Sequence, residues 1–354
     1  MAFPTTFQTP VASGIVPSGA SGAQLSAITR RAVVPTVFVQ IYQSHPLLSL
    51  LFSNSQRAKG GVGAITIPVQ GAPFTSASWG DFGGDFPIPQ DQQAITDLQF
   101  NLKLLLNPIG FYGMEALVQA SEVIIPKLRV VMSDAAVVLK KTLAAAIYTN
   151  NASSPNVIDS LVQAYDNGTL TTSYGGITRS GNPWIQGQYY PNQGGQIVTR
   201  AGMASFLTQV ATGAGGESPD FMVMNPANWA SLMVDFMGYE QYQTRPRSIY
   251  GKDDVVNAGF RAIKVLDTPI FPDPFCPLGS AFAINSRYLS LYLSEYAPFA
   301  FSGFHSLIPL GQIADIGVLF SALDLVCAKP SSGAYVTGIS NPAWNSPLAT
   351  PAVV

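Results

Sequence analysis

Residues 121–150, SEVIIPKLRVVMSDAAVVLKKTLAAAIYTN, carry a clear helical pattern. At 100° per residue, the apolar side chains fall on one half of a helix and the charged ones fall mainly on the other half. The apolar half comprises Ile124, Leu128, Val131, Met132, Ala135, Val138, Leu139, Leu143 and Ala146. Ser121 can cap the start, and Pro126 lies near the first turn, where a missing N–H costs little. The stretch predicts an amphipathic helix about 40 Å long, at about 1.5 Å per residue.

Two valines interrupt the polar half of this helix. Val130 and Val137 are seven residues apart and lie among charged side chains. Seven residues make nearly two turns, so both valines point to the same side. We therefore expect the outward side of the helix to contact a second apolar surface, with Val130 and Val137 as its interface residues.

The composition indicates that much of the surface is covered by protein. Only 11% of the 354 residues are charged and 47% are hydrophobic, whereas a typical soluble domain has roughly 25% charged residues. No apolar run is long enough to cross a membrane, so we expect no membrane contact. The net charge of −2 predicts no strong attraction to nucleic acid. Cys276 and Cys327 match no disulfide framework or zinc motif, and we expect two unpaired thiols.

A hairpin with a long tip precedes the helix. Residues 63–70 and 94–106 both alternate in polarity, and in the second strand Leu98, Phe100, Leu102 and Leu104 share one side. The 71–93 connection is rich in glycine and proline, and loops of this length are rare inside compact domains. Its apolar side chains are Phe74, Trp79, Phe82, Phe86 and Ile88. We expect them to contact a neighbouring molecule, with Trp79 as the anchor.

The remaining segments predict a mixed α+β chain with irregular ends. Residues 1–36 are rich in proline, glycine, serine, threonine and alanine, which is typical of an arm that orders only against another surface. Short helical pieces are expected in 37–53 and a helix over 199–212. A buried strand at 220–225 precedes a helix that starts at Pro226 with Asn225 as its cap. Further strands are expected at 259–266, 280–285, 288–296, 299–308 and 317–328, with 267–279 as a proline-rich connection.

Motifs for catalysis or metal binding are absent from the sequence. His45 and His305 belong to no metal-binding spacing, so we expect structural or surface roles for both. No GxSxG motif occurs, and the glycine clusters at 59–66 and 213–220 are interpreted as turns. The arginines Arg179, Arg200, Arg245, Arg247 and Arg261 are dispersed. We expect them on solvated faces or in ion pairs between subunits, and we expect no enzyme activity, cofactor or metal.

The order of elements and three phrases resemble a known family. The phrases are YGGITRSGNPWIQGQYY at 174–190, FMVMNPANWASLM at 221–233 and GFRAIKVLDTPIFPDPFCPLGSAFAINSRYLSLYL at 259–293. Together with the hairpin and the helix, they resemble the major capsid proteins of tailed bacteriophages, of the Hong Kong 97 type, over residues 30–325. Encapsulin shells share that fold. The resemblance implies an α+β fold with an N-arm, an E-loop hairpin, a spine helix, a P-domain and an A-domain.

The resemblance also implies domain boundaries. They are an N-terminal arm at 1–36, part of the P-domain at 37–54, the E-loop at 55–106, the P-domain at 107–199 with the spine helix at 121–150, the A-domain at 200–295, a return to the P-domain at 296–330 and a C-terminal tail at 331–354. Some members cross-link a lysine to an asparagine. Lys59 and Lys103 lie at the hairpin base, so we expect no cross-link here.

As a function, the resemblance implies a structural protein. Copies would assemble into hexamers and pentamers of an icosahedral head around double-stranded DNA, in the virion, after assembly in the bacterial cytoplasm. Expected partners are other copies, a portal, decoration proteins, a separate scaffolding protein or none, and DNA through weak nonspecific contacts. An encapsulin-like nanocompartment shell is the alternative, distinguished by its cargo. A cytosolic α/β enzyme or ligand-binding protein is the least favoured, since no convergent polar set supports it.

The hairpin tip yields a first prediction. Replacing Trp79 and Phe82 by alanine is expected to reduce assembly yield more than folding, because interface anchors contribute to association rather than to the protomer's own core. Sedimentation would measure assembly, and circular dichroism would measure folding of the same preparation. Equal losses in both would place these side chains in the core and contradict the tip assignment.

Overall fold

In a computed structural model of the chain, residues 45–58, 64–71, 95–112, 121–194, 196–237, 263–296, 298–307, 312 and 314–340 are described below. For residues 111, 112, 121–130, 196 and 237 the description covers the backbone alone. The α-helices in this part are α1 Pro46–Ser53, α2 Ser121–Tyr148, α3 Leu161–Tyr165, α4 Arg200–Gly213 and α5 Pro226–Met237. Short 3-10 helices lie at Pro183–Ile185, Gln196–Val198 and Pro330–Ser332.

The strands are β1 Gln56–Ala58, β2 Ala64–Gln70, β3 Ile95–Asn101, β4 Lys103–Tyr112, β5 Ser173–Tyr174, β6 Ile177–Thr178, β7 Gln188–Tyr190, β8 Phe221–Met224, β9 Ile263–Val265, β10 Thr268–Pro272, β11 Ala281–Ile284, β12 Leu289–Ser294, β13 Ala300–Ser306, β14 Ala314–Cys327 and β15 Ala334–Val336. They form sheets of five and six strands and two two-stranded sheets. The mixed α+β class predicted from the sequence is confirmed.

The long helix is present as predicted. Helix α2 has 28 residues, and its buried stripe recurs every three or four positions, as an amphipathic helix requires. The stripe contains Met132, Ala135, Ala136, Leu139, Leu143, Ala144 and Ile147. The predicted apolar half was too wide, since Val138 is 52% exposed. Val138 lies about 100° around the helix from Leu139, beyond the arc that the core covers.

Strand β14 organises the five-stranded sheet. It pairs antiparallel with β4 over ten residues, from Ala314 opposite Tyr112 to Leu323 opposite Lys103. It also pairs antiparallel with β12 and β13, and β1 joins β12 in parallel. Helix α2 packs against β4, where the Asn107 side-chain amide donates a hydrogen bond of 3.0 Å to the Ala135 carbonyl. The sheet and the helix form one two-layered unit.

The predicted hairpin forms, and we call β2 and β3 the hairpin stem. Its antiparallel register runs from Ala64 opposite Asn101 to Gln70 opposite Ile95. The strand predicted over 94–106 is wrong in one respect, since the chain changes sheets at Leu102, between β3 and β4. Leu98 and Phe100 are therefore buried, whereas Leu104 is 54% exposed.

A second lobe contains the six-stranded sheet, in the order β7-β15-β11-β8-β10-β9. All four residues of β8 are buried, and Asn225 caps α5 by accepting a 2.9 Å hydrogen bond from Ala227 N, as predicted. The interpretation of 267–279 as a connection is wrong for β10, which pairs in parallel with β8. Ile270 and Phe271 at its centre are buried, so the flanking prolines concealed a core strand.

The predicted tail at 331–354 is wrong for its first residues. Strand β15 pairs with β11 on one side and β7 on the other. Its residues Ala334, Tyr335 and Val336 are buried, and three residues are too few to show a period in a stretch of mixed composition. Residues 341–354 lie outside the described part.

A buried ion pair fixes the region after the long helix. Arg179 Nη1 lies 3.3 Å from Asp166 Oδ2, and both side chains are almost fully buried. Asp166 also accepts hydrogen bonds from the backbone N–H groups of Gly168, Leu170 and Thr171. The expectation that Arg179 lies on a solvated face or between subunits is wrong, because its side chain is buried and paired with Asp166. No local sequence pattern indicates an aspartate 13 positions away as its partner.

Replacing Asp166 by asparagine is expected to destabilise the fold by about 3–5 kcal/mol, since it leaves the buried Arg179 charge unpaired. Urea unfolding of the unassembled chain would measure the change. Asp267→Asn is the matched control, because Asp267 is 91% exposed in its ion pair with Lys264 and its loss should have little effect. Comparable destabilisation by both variants would contradict the importance of the buried pair.

Candidate assembly surfaces

Strand β4 presents an apolar side away from the long helix. Leu104 and Leu106 are 54% and 55% exposed, and Pro108 is also exposed. The residues between them are more buried, and one of these, Asn107, bonds to α2. Because neighbouring side chains of a strand point to opposite faces, the exposed residues lie on the face turned away from the helix.

Strand β14 continues this apolar side. Leu104 lies opposite Ala322, Leu106 opposite Phe320 and Pro108 opposite Val318, and directly opposed residues share a face of the sheet. The β14 members are half-buried, and they alternate with buried residues. We call this surface the sheet face; it consists of Leu104, Leu106, Pro108, Ile316, Val318, Phe320 and Ala322.

The sheet face has the character of a protein contact. The solvated side of an antiparallel sheet is ordinarily polar, but all seven side chains here are uncharged and apolar. Exposed apolar patches of about 300–600 Å² are often functional on soluble proteins. The sequence pattern shows the alternation of these residues but does not predict which side is exposed. Leu104 and Leu106 point outward because the chain changes sheets at Leu102.

The outward side of α2 is partly apolar. Val137 is 42% exposed and Val138 is 52% exposed, next to the exposed charges of Asp134 and Lys141. The side chain of Val130 lies outside the described part, so its predicted alignment with Val137 stays a prediction. An apolar partner for this side of the helix also stays a prediction.

The hairpin stem contacts its own protomer along its length, up to the point where the tip begins. A Cβ added at Gly71 would lie 2.6 Å from Cε2 of Trp184, so only glycine fits this close approach. On the other strand, Gln99 N donates a 2.9 Å hydrogen bond to Gly175 O, and Ile95 is 71% exposed. The predicted tip residues Phe74, Trp79, Phe82, Phe86 and Ile88 lie outside the described residues.

A buried junction connects the two lobes. Asp273, which follows β10, accepts a 2.9 Å hydrogen bond from the Tyr148 hydroxyl at the end of α2. His45 Nδ1 lies 3.5 Å from Asp273 Oδ1. His45 is buried and His305 is exposed, so one is structural and the other lies on the surface, as expected.

The two cysteines do not support thiol chemistry. Both are free, as predicted, and both are buried. Burial raises the pKa of both thiols, that of Cys327 to about 12, so neither forms a reactive thiolate at neutral pH. Within the described ranges, no group of three histidine, cysteine, aspartate or glutamate side chains could hold a metal ion.

Other predicted residues have mixed outcomes. Trp229 is half-buried against the second lobe's core, and its indole N–H donates a 3.3 Å hydrogen bond to Ile270 O. Arg200 is exposed at the start of α4. Arg245, Arg247 and Arg261 lie outside the described part.

No helix in the described part is long and apolar enough to cross a membrane.

No protein-family model and no curated protein sequence matches this chain. Solved structures match it over most of its length. A cyanophage A-1(L) capsid structure matches with a TM-score of 0.61 at 17% identity, over 84% of this chain and 93% of that chain. A Mycobacterium phage Adephagia structure matches with a TM-score of 0.52 at 13% identity, over 84% and 91%.

A third match is the holo-SrpI encapsulin complex from Synechococcus elongatus, with a TM-score of 0.51 at 8% identity, over 82% of this chain and 87% of that chain. Identities this low establish architecture alone. The chain therefore has the α+β fold of Hong Kong 97 type capsid proteins, as the sequence resemblance implied.

The sheet face yields a test. Leu106→Glu is expected to reduce assembly strongly, because association would have to bury an unpaired charge. The fold should change little, since Leu106 is half-exposed in the protomer. Gln209→Glu adds the same charge at an exposed polar position on α4 and is the control. Light scattering would follow assembly and thermal unfolding would follow the fold; normal assembly of Leu106→Glu would exclude the sheet face as a contact.

Proposed function

We propose that this chain is a major capsid protein, a structural protein whose copies form the hexamers and pentamers of an icosahedral phage head around double-stranded DNA. The observation that carries the proposal is the match to a phage capsid structure over most of both chains. The protein would be a component of the virion, assembled in the cytoplasm of the bacterial host, and would act without catalysis.

We assign the family's parts to this chain as part of the proposal. Residues 1–36 are the N-arm, 55–106 the E-loop, 107–199 and 296–330 the P-domain with α2 as spine, and 200–295 the A-domain. The hydrophobic core of the second lobe supports the A-domain assignment, because most of its residues lie in 200–295. It also adds β15 to this domain, so we place the start of the C-terminal tail after residue 340.

Assembly in this proposal proceeds through many weak contacts. The hairpin tip, with Trp79 as anchor, lies on a neighbouring copy, while the sheet face and the Val130 and Val137 side of the spine helix receive segments of others. Contacts between different patches propagate around rings, and their avidity multiplies as each copy engages several neighbours. Only 11% of the residues in the chain are charged, and this low fraction suits a protomer whose surface is largely covered by neighbouring copies.

Accessory partners follow from the same role. A separate scaffolding protein, a portal and decoration proteins would contact the shell, and packaged DNA would touch its inside only weakly. The net charge of −2 supports weak DNA contact, since phosphate binding requires clustered lysine and arginine.

An encapsulin-like shell is the second candidate, favoured by the match to the holo-SrpI complex. Such a shell would have the same protomer fold and enclose a protein instead of a genome. The two functions are distinguished by the cargo that the shell encloses.

Electron microscopy of the purified chain, combined with analysis of the particle contents, tests the proposal. We expect closed shells or capsomers, and particles from infected cells should contain nuclease-protected DNA. Particles that enclose a protein and no DNA would support the encapsulin-like shell. Monomers or small oligomers under every assembly condition, with a normally folded chain, would contradict both.

A further inference from the structure

A group of charged side chains lies at the root of the hairpin stem. Strand β3 ends at Asn101 and β4 starts at Lys103, so Leu102 alone joins the stem to the five-stranded sheet. Lys103 lies opposite Leu323, and the next residue of β14 is Asp324. We call Lys103, Asp159 and Asp324 the carboxyl cluster, in which Asp159 belongs to the loop after the spine helix.

Asp324 is buried with half of its carboxyl group unpaired. Its Oδ1 accepts hydrogen bonds from the backbone N–H groups of Asp159, at 3.0 Å, and Leu325, at 2.9 Å. Its Oδ2 is also buried and has no hydrogen-bond partner among the described residues. A buried unpaired carboxylate oxygen costs far more free energy than the oxygen of a neutral acid. The geometry therefore favours the protonated form.

The groups around Asp324 provide little compensation for a negative charge. Asp159 faces it from the loop, Lys103 from β4 and Tyr174 from β5, and Tyr292 of β12 lies opposite in register. Burial raises the pKa of Asp324 to about 7; Asp159 adds to the rise, while Lys103 and the two N–H groups oppose it. Burial also raises the pKa of Asp159, and Lys103 again opposes.

Contacts around Tyr174 connect the cluster to the hairpin stem. The Tyr174 hydroxyl accepts a 2.9 Å hydrogen bond from Cys327 N, and its ring packs edge-on against Phe100 of β3 with centroids 5.2 Å apart. The adjacent Gly175 accepts the hydrogen bond from Gln99. Strand β14 is thus bonded to the Asp159 loop at Asp324 and, three residues further on, to Tyr174, which packs against the stem.

We infer that the carboxyl cluster is a proton-controlled attachment of the hairpin root: a proton on Asp324 favours the closed arrangement, in which the loop and the stem lie against β14, and loss of the proton favours opening, which returns the carboxylate to water. The inference concerns the single protomer and does not depend on shell formation. It gives the hairpin a pH-dependent freedom to move.

The direction follows from proton linkage. At pH values between the ordinary aspartate pKa of 3.8 and the folded pKa of about 7, Asp324 keeps its proton in the folded chain but loses it in the opened chain. Opening therefore becomes easier as the pH rises through this window, and the effect levels off above it.

Hydrogen exchange of the full, unassembled chain tests the inference. From pH 5 to pH 8, protection factors of the Asp159, Leu325 and stem amides are expected to fall on the order of a hundredfold, whereas those around Leu139 in the spine helix should stay constant. Asp324→Asn, which resembles the neutral acid, should abolish the fall. Asp97→Asn removes an exposed charge from β3 and should leave it unchanged.

A second variant covers the case in which Asp324→Asn does not fold. Asp159→Asn keeps the backbone N–H bond to Asp324 but removes the neighbouring like charge, so the fall should become smaller and end at lower pH. Equal protection at pH 5 and pH 8 in the wild type, the same fall in Asp324→Asn, or an unchanged profile in Asp159→Asn would each overturn the inference.

Discussion

The buried Asp166 and Arg179 pair is the interaction on which the outer parts of the protomer depend. A buried guanidinium must be compensated, and Asp166 does so while its oxygens also accept backbone N–H groups of the following turn. This arrangement holds the segment that carries Gly175 and Trp184, against which β3 and Gly71, the residue after β2, pack. The electrostatic requirement inside the protomer thereby determines where the hairpin leaves its surface.

The five-stranded sheet acts as a partition between two environments. One side of β4 and β14 packs on the spine helix and completes the protomer's core, while the other side shows seven apolar residues to the surroundings. Exposed apolar patches of this kind often mark sites of protein association. In the proposed shell, the same strands would serve folding on one face and association on the other.

The sequence predicted what is local and periodic. The spine helix follows from its three-and-four spacing, the stem strands from alternation, and the α5 cap from Asn225 before Pro226. The position of Arg179 depends on an aspartate 13 residues away, and strand β10 depends on neighbours that bury Ile270 and Phe271 between prolines. These are tertiary effects that no short window contains. The sheet face is intermediate, since its alternation is visible but its outward direction depends on the change of sheet at Leu102.

Strand β15 has a consequence for synthesis. It lies between β7 and β11 in the six-stranded sheet, although it is the last described strand in the chain. On a ribosome, β7 and β11 emerge long before the strand that joins them. The second lobe therefore completes its sheet only after β15 has been translated, and such nonlocal pairing forms late and slowly. Nascent chains without β15 lack a finished second lobe, and in the proposed shell this would keep them out of a growing lattice.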